Sequence, residues 1–197
     1  MPASDTCVLF IGRFDPEEVL RLVERHKVTR WTAVPTMITR VLDHPDVQTR
    51  DLRSLRAIGT GGTPVGSGLL ERIRTGLPAA KVSIAIGYGL TENTGPATTA
   101  SGADTVDHPG TCGRPLPCVE IRLAPKPGLP DAEVLVRSPT QMSGYYGMDD
   151  SPIDQDGWLN TGDLGRMDET GLLWITGRSK DMIIRGGENI APVANER

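Results

Sequence analysis

One stretch near the middle of the chain carries the residue types that nucleotide chemistry requires. An apolar run through Ile84 and Ile86 leads into Gly-Tyr-Gly at 87–89, and Thr91 and Glu92 follow at once. The two glycines allow the backbone to approach a ligand closely, and the tyrosine between them offers a flat face. The hydroxyl could contact a phosphate, and the carboxylate could share a magnesium ion with it. The set suits a nucleotide, although the stretch alone is equally typical of an ordinary turn after a strand.

Three further segments place glycines beside hydroxyl, acidic or basic side chains. Residues 60–64 read T-G-G-T-P, residues 158–163 read W-L-N-T-G-D, and residues 177–190 begin with G-R-S-K-D and end with G-G-E-N-I. An aspartate such as Asp163 can accept two hydroxyl groups at once, which suits a ribose. Taken singly, each segment is explained more simply as a turn. None is a G-x-G-x-x-G motif followed by an acidic residue about 20 positions later, so we exclude a dinucleotide-binding fold.

The elements that must position these segments alternate between strand and helix. Apolar runs predict strands at 7–11, 29–34, 55–58 and 82–86. Caps and prolines predict one helix after the N-cap Asp15, a second helix that starts at Pro35, and a third helix at about 65–74. Such alternation is typical of a parallel sheet covered by helices, whose ligands bind at the carboxyl ends of the strands. We therefore expect the glycine turns at 59–62 and 87–89 to face one crevice.

The character of the chain changes after Pro96, where strands and turns predominate. Polar and apolar residues alternate at 119–123 and 133–137, which predicts half-buried strands of a second, smaller sheet. Further short strands are expected at 172–175 and 182–184. The predicted fold class is thus α/β, a partial parallel sheet with covering helices followed by a smaller β-rich subdomain.

The charge balance and the apolar runs of the sequence indicate what kind of molecule the protein binds and where it is located. The 197 residues include 21 basic and 25 acidic side chains with a net charge of −4, and these charges are interspersed, so we expect a small-molecule partner and no nucleic acid. No apolar run approaches the roughly 18 residues of a transmembrane helix, and the start lacks a signal-peptide pattern, so we expect a cytoplasmic protein. Cys7, Cys112 and Cys118 lack metal-ligand spacing and fit reduced thiols.

In their order along the chain, the four segments resemble the motifs of the adenylate-forming superfamily, and within it those of the acyl-CoA synthetases. The resemblance extends from about Cys7 to the last residue. Leu90 stands where the adenylation domains of peptide synthetases usually have proline, and G-G-E-N-I at 186–190 differs from their more basic sequence, so the acyl-CoA branch is favoured. The resemblance implies that residues 1–98 are the α/β part of a large AMP-binding domain, 99–177 its β-rich part, and 178–197 a hinge and the truncated start of a small domain.

The resemblance also implies roles for individual residues. Tyr88 would stack on adenine, Thr91 would contact the phosphate, and Glu92 would coordinate magnesium, which makes Thr91 and Glu92 the implied catalytic residues. The remaining implied residues are the nucleotide-binding Gly62, Thr63, Gly87, Asp163 and Arg178, the hinge residue Lys180, the CoA-loop glycines Gly186 and Gly187, and the acyl-pocket residues Val34, Ile84, Ala85 and Ile86. Arg114, Tyr145 and Tyr146 match family segments too, and we interpret them as a structural turn and as packing residues.

The implied activity is that of a ligase that uses ATP, Mg²⁺ and CoA. It would convert a carboxylic or fatty acid and ATP into acyl-AMP, and then form the thioester with CoA. Two cationic elements of the family, a phosphate loop and a small-domain lysine, do not occur in the sequence, so we expect the isolated chain to be inactive or severely impaired and to self-associate through an exposed sheet surface. The alternative is a non-catalytic module that binds a nucleotide or a partner chain, or half of a split enzyme.

Overall fold

The structure, a computed structural model, describes residues 12–63, 65–77, 79, 83–129, 131–148 and 151–179, together with the backbone of two short strands at 183–185 and 188–190. The strand that we predicted at 7–11 lies outside the described residues. No helix in the described part of the chain is long and apolar enough to cross a membrane.

A five-stranded sheet forms the first layer, with neighbouring strands in the order of the sequence. Its strands are β1 (Arg30–Thr32), β2 (Ala57–Gly61), β3 (Ile84–Leu90), β4 (Gly95–Ser101) and β5 (Arg114–Pro115). The first three strands are parallel, as predicted, whereas β4 and β5 are antiparallel to their neighbours. The first sheet therefore continues into a region where the sequence indicated only a second sheet.

Three helices cover one face of this sheet and enclose the main core. They are α1 (Pro16–His26), α2 (Pro35–Leu42) and α3 (Ser67–Gly76), while a shorter helix, α4 (Ala103–Asp107), follows β4. The Asp15 carboxylate accepts a hydrogen bond of 3.0 Å from the backbone N–H of Glu17, so the predicted N-cap of α1 is confirmed. The start of α2 at Pro35 is confirmed as well. The fully buried residues of this core include Leu20, Ile38, Ile58, Leu70, Ile73 and Ile84.

Strand β3 extends further than the sequence indicated. We predicted that it ends in a sharp turn at 87–89, but these residues are part of the strand, and the turn is a short 3₁₀ helix at Thr91–Asn93. Residues 87–89 pair with β4, and the register shifts between Tyr88 and Gly89. A side chain at Gly89 would overlap the Gly95 carbonyl group. The glycine is required because two strands approach closely at a bulge, and not because the chain reverses there.

A four-stranded antiparallel sheet forms the second layer. It consists of β6 (Glu120–Ala124), β7 (Ala132–Arg137), β8 (Leu159–Met167) and β9 (Leu173–Arg178), in that order. The prediction of half-buried alternation is wrong for β7, in which residues 133–136 are all buried. This strand lies between two neighbours and both of its faces are covered, and its acidic Glu133 forms an ion pair of 3.1 Å with Lys126.

The last described strands form a separate two-stranded ribbon. Here β10 (Ile183–Arg185) and β11 (Glu188–Ile190) are antiparallel. The strand predicted at 182–184 is thus confirmed for its described residues. The proposed division of the chain into parts at 98 and 177 stays a prediction.

Candidate functional site

A cavity of about 390 Å³ lies where the first sheet meets the second. It is formed by the carboxyl ends of the parallel strands β2 and β3, by the segment 110–112 before β5, and by facing residues of β8 and β9. Residues that line it are Gly62, Thr63, Val65, Ile86, Gly87, Tyr88, Gly89, Leu90, Gly110, Thr111, Cys112, Asp163, Ile175, Gly177 and Arg178. Because Gly61 of β2 lies directly beside Gly87 of β3, both glycine segments reach this cavity, as the parallel arrangement predicted.

Three polar side chains from both sheets meet at the cavity. The Tyr88 hydroxyl donates a hydrogen bond of 2.8 Å to Asp163 Oδ2, and Arg178 Nε donates one of 2.8 Å to Asp163 Oδ1. Asp163 is only 8% exposed, and it is held by its neighbours because Asp163 and Arg178 are directly paired in the β8–β9 ladder. A buried carboxylate needs such partners, since an unpaired charge would be costly to bury. The cavity thus has one fixed acceptor of hydroxyl groups, with a guanidinium beside it.

Burial raises the pKa values of two side chains at the cavity, the phenol of Tyr88 and the thiol of Cys112. Desolvation raises the pKa of the Tyr88 phenol well above its usual range, and the negative charge of Asp163 raises it further. Desolvation likewise raises the pKa of the Cys112 thiol. Both groups are therefore neutral near pH 7, and Tyr88 offers an aromatic face and a hydroxyl donor to this region. Tyr88 also packs against a small apolar cluster that includes Ala97, Val134 and Leu173.

Glu92 occupies the short turn after β3 and has a partner from a distant segment. The Tyr145 hydroxyl donates a hydrogen bond of 2.7 Å to Glu92 Oε1. This bond lowers the pKa of the Glu92 carboxyl, and the charge of Arg178 contributes in the same direction. Glu92 is therefore an ionised carboxylate, and it lies in the turn that directly follows Leu90 of the cavity wall.

The residues present fit a magnesium ion that is shared with a nucleotide. The described residues contain no cluster of three or more acidic, histidine or cysteine side chains that could hold a metal alone. Mg²⁺ in nucleotide sites is usually bound by one or two carboxylates together with the phosphates and water. The ionised Glu92 can provide that single hard oxygen ligand, and no second protein ligand is needed.

The structure brings together most of the residues implied for nucleotide binding. Six of these seven residues line the cavity: Gly62, Thr63, Gly87, Tyr88, Asp163 and Arg178. Thr91 is exposed on the turn beyond the cavity wall, next to Glu92. Their roles toward a ligand stay predictions, because proximity defines a site but not its occupant.

The four residues predicted for an acyl pocket lie in different environments. Ile86 lines the cavity, whereas Ile84 is 1% exposed and packs in the core under the helices. Val34 is 41% exposed beside Gly62, and Ala85 is half-buried on the sheet face opposite to Ile84. The predicted hinge residue Lys180 and CoA-loop residues Gly186 and Gly187 lie outside the described residues.

Sequence reasoning missed several residues of the site. Thr111 and Cys112 line the cavity, and Thr111 is fixed by a hydrogen bond of 2.9 Å from its hydroxyl to the Leu173 carbonyl. Tyr145 was interpreted as a packing residue, but it is 44% exposed and contacts Glu92 through its hydroxyl. A signal for Thr111 and Cys112 was the glycine on each side of them, which indicates a tight backbone path. Nothing in the local sequence pairs Tyr145 with a residue 53 positions earlier.

Comparison with known protein families identifies the family to which this fold and cavity belong. The family model described as AMP-binding enzyme matches residues 4–146, which is most of the chain. The chain therefore belongs to the AMP-binding enzyme family. This result confirms the resemblance and the fold class inferred from the motifs.

Several of the similar proteins are named as CoA ligases or CoA synthetases. The chain is 43% identical to the 3-[(3aS,4S,7aS)-7a-methyl-1,5-dioxo-octahydro-1H-inden-4-yl]propanoyl:CoA ligase of Mycobacterium tuberculosis, over 93% of this chain and 36% of the ligase. It is similar to an o-succinylbenzoate coenzyme A synthetase of Bacillus subtilis in complex with ATP and magnesium ion, with a TM-score of 0.78 and 34% identity over 92% of this chain and 38% of that one. It also matches an anthranilate CoA ligase in complex with anthranoyl-AMP, with a TM-score of 0.83 and 30% identity over 96% of this chain and 37% of that one. The chain thus spans little more than a third of the length of these relatives.

Proposed function

We propose that the chain provides the nucleotide cleft of an acyl-CoA synthetase. Such an enzyme joins a carboxylic acid to ATP, releasing pyrophosphate and forming acyl-AMP, and then transfers the acyl group to CoA with release of AMP. The observation that carries the proposal is the hydrogen bond from Tyr88 to Asp163, which joins the two sheets at the cavity. It places an aromatic face and a buried hydroxyl acceptor next to each other, as a nucleoside requires.

The residues assigned to the nucleotide have tasks that match their chemistry. The Tyr88 ring stacks on the adenine, while the glycines at 62 and 87 permit close approach of the backbone to it. Asp163 accepts hydroxyl groups of the ribose, and Arg178 stabilises that carboxylate and faces the negative charge of the phosphate. Thr91 donates its hydroxyl to the phosphate. Adenylyl transfer depends on positioning and charge stabilisation, which these groups supply without covalent chemistry.

Magnesium would be held by Glu92 and would neutralise charge on the phosphates during transfer. The carboxylic acid is expected to have an apolar acyl group. Support comes from Ile86, which lines the cavity, and from Val34, which is exposed beside Gly62 of the cavity wall. Two of the relatives named above are ligases of ring-containing acids, namely an inden-4-yl-propanoyl compound and anthranilate.

AMP binding measured by isothermal titration calorimetry tests the proposal. Tyr88→Ala should weaken binding about tenfold or more, because stacking of a base on an aromatic ring contributes roughly 1–3 kcal/mol. Tyr88→Phe keeps the ring and should stay within about threefold of wild type. Asp163→Ala should weaken binding roughly 10- to 100-fold, because hydrogen bonds to charged groups contribute about 1.5–3 kcal/mol.

Asp156→Ala is the matched control, since it removes an exposed carboxylate from a loop of the second sheet. Its affinity should equal that of wild type. The proposal is refuted if the wild-type protein does not bind AMP, or if Tyr88→Ala and Asp163→Ala bind AMP as tightly as the control does.

A further inference from the structure

The turn that contains Glu92 is hydrogen-bonded to a segment that follows a strand of the second sheet. The segment 138–145 follows β7 and runs alongside the Thr91–Asn93 turn. The backbone N–H of Met142 donates a hydrogen bond of 2.7 Å to the carbonyl of Glu92, and the Thr140 hydroxyl donates one of 3.1 Å to the carbonyl of Asn93. These contacts join residues that are more than 45 positions apart in the sequence.

Two further hydrogen bonds fix the turn at its buried side and at its end. The Ser138 hydroxyl donates a bond of 2.6 Å to Asn93 Oδ1, and Asn93 is only 1% exposed. The Thr94 hydroxyl donates a bond of 2.6 Å to the carbonyl of Thr140. Because Thr94 has a positive φ of 58°, the chain leaves the turn in a conformation that needs such support. The backbone under Glu92 is therefore held in place by the segment 138–145.

The same segment also orients the Glu92 carboxylate. Tyr145 donates its hydroxyl to one oxygen of that carboxylate at 2.7 Å, although its ring is 44% exposed. The next residue, Tyr146, is fully exposed and differs from Tyr145 in this respect. A tyrosine that only fills space does not need to place its hydroxyl on an ionised acid. The bond removes rotational freedom from Glu92, and the carboxylate keeps further lone pairs with which it can bind a cation.

We propose that Tyr145 is a positioning residue that orients the Glu92 carboxylate toward a divalent cation bound with the nucleotide. The inference rests on the proposed function, because the cation is the one that accompanies ATP. Mg²⁺ demands near-ideal octahedral geometry, so a carboxylate that supplies one ligand must be held in one orientation. Groups that hydrogen-bond to a ligating carboxylate typically change metal affinity about 10- to 100-fold. Since Tyr145 is half-exposed, we expect an effect at the lower end of that range.

Calorimetry with α,β-methylene-ATP tests this role without turnover, since adenylation cannot cleave that analogue. The quantity measured is the ratio of its affinity with Mg²⁺ to its affinity in EDTA. Tyr145→Phe should reduce this ratio about tenfold and leave the affinity in EDTA unchanged. Glu92→Gln should bring the ratio close to one, and the control Tyr146→Phe should retain the wild-type ratio. Thermal unfolding of each variant checks that the fold is intact.

The outcomes separate this inference from the proposed function. If wild type and Tyr145→Phe show the same Mg²⁺ ratio, Tyr145 does not position the carboxylate, while the nucleotide cleft stands. If Tyr145→Phe weakens binding equally in Mg²⁺ and in EDTA, the residue is structural and the inference is wrong. If wild type does not bind the analogue under either condition, the proposed function fails and the inference fails with it.

Discussion

Replacement of Gly113 by alanine tests how closely the segment before β5 approaches the backbone of β4. Gly113 precedes β5, and its carbonyl accepts a hydrogen bond of 2.9 Å from the backbone N–H of Leu173 in β9. It has a φ of 86°, and a methyl group there would overlap the backbone carbonyl of Thr99 in β4. Gly110 is a matched control because it has a similar φ of 80°, but a methyl group there would lie 3.9 Å from its nearest neighbour, a side-chain atom of Trp174.

The difference in stability loss between Gly113→Ala and Gly110→Ala measures the cost of the close backbone contact alone. A positive φ costs alanine about 1–2 kcal/mol, and the reduced entropy of the unfolded chain offsets about 0.4–1 kcal/mol of it. Gly110→Ala should therefore lower stability by about 1 kcal/mol. Gly113→Ala should add an overpacking cost of about 1–3 kcal/mol, because the overlapped atoms are backbone and cannot rotate away. Its total cost is about 3 kcal/mol.

Thermal unfolding followed by circular dichroism measures both effects. For a chain of this size, 1 kcal/mol corresponds to a shift of Tm by about 2–4 °C. We expect a loss of about 2–4 °C for Gly110→Ala and of about 6–12 °C for Gly113→Ala. Equal shifts in the two variants would refute the close contact between Gly113 and Thr99 of β4.

Two further predictions concern stability. Ser138→Ala should cost about 1–3 kcal/mol in the free energy of unfolding by urea, because it leaves the buried Asn93 side-chain oxygen without its partner; an unchanged free energy would contradict that hydrogen bond. Hydrogen bonds from the backbone N–H of Asp51 and from Arg50 lower the pKa of Glu24. The ionised Glu24 therefore stabilises the fold at pH values above the unfolded pKa of about 4.3. This stabilisation is lost as the pH falls through the lower pKa of the folded state. Glu24→Gln should therefore have a lower Tm than wild type at pH 7, and the difference should shrink below about pH 4; a difference that grows in acid would contradict this sign.

Local sequence signals predicted the first half of the fold well. The cap formed by Asp15, the proline at position 35 and the apolar runs of β2 and β3 are short-range features, so they identify helices and strands without knowledge of the rest. Prediction was wrong where tertiary pairing decides the structure. Residues 87–89 contain two glycines and read as a turn, yet they form a strand because β4 pairs with them.

Some residues of the candidate site were likewise predictable from local motifs, whereas others depend on tertiary contacts. Tyr88 and Asp163 were identified from motifs, and the structure joins them by a hydrogen bond across 75 positions of sequence. Cys112 and the Tyr145 contact with Glu92 were not identified, because they depend on how a loop and the second sheet fold back on the first. Spacing along a chain cannot indicate such contacts when no regular element connects the partners.

The most direct measurement is a crystal structure of the protein with AMP bound. We expect the adenine against the ring of Tyr88 and a ribose hydroxyl within hydrogen-bonding distance of the Asp163 carboxylate, in the cavity between the two sheets. AMP bound at another place on the protein, with Tyr88 still donating to Asp163 in an empty cavity, would contradict a shared nucleotide cleft.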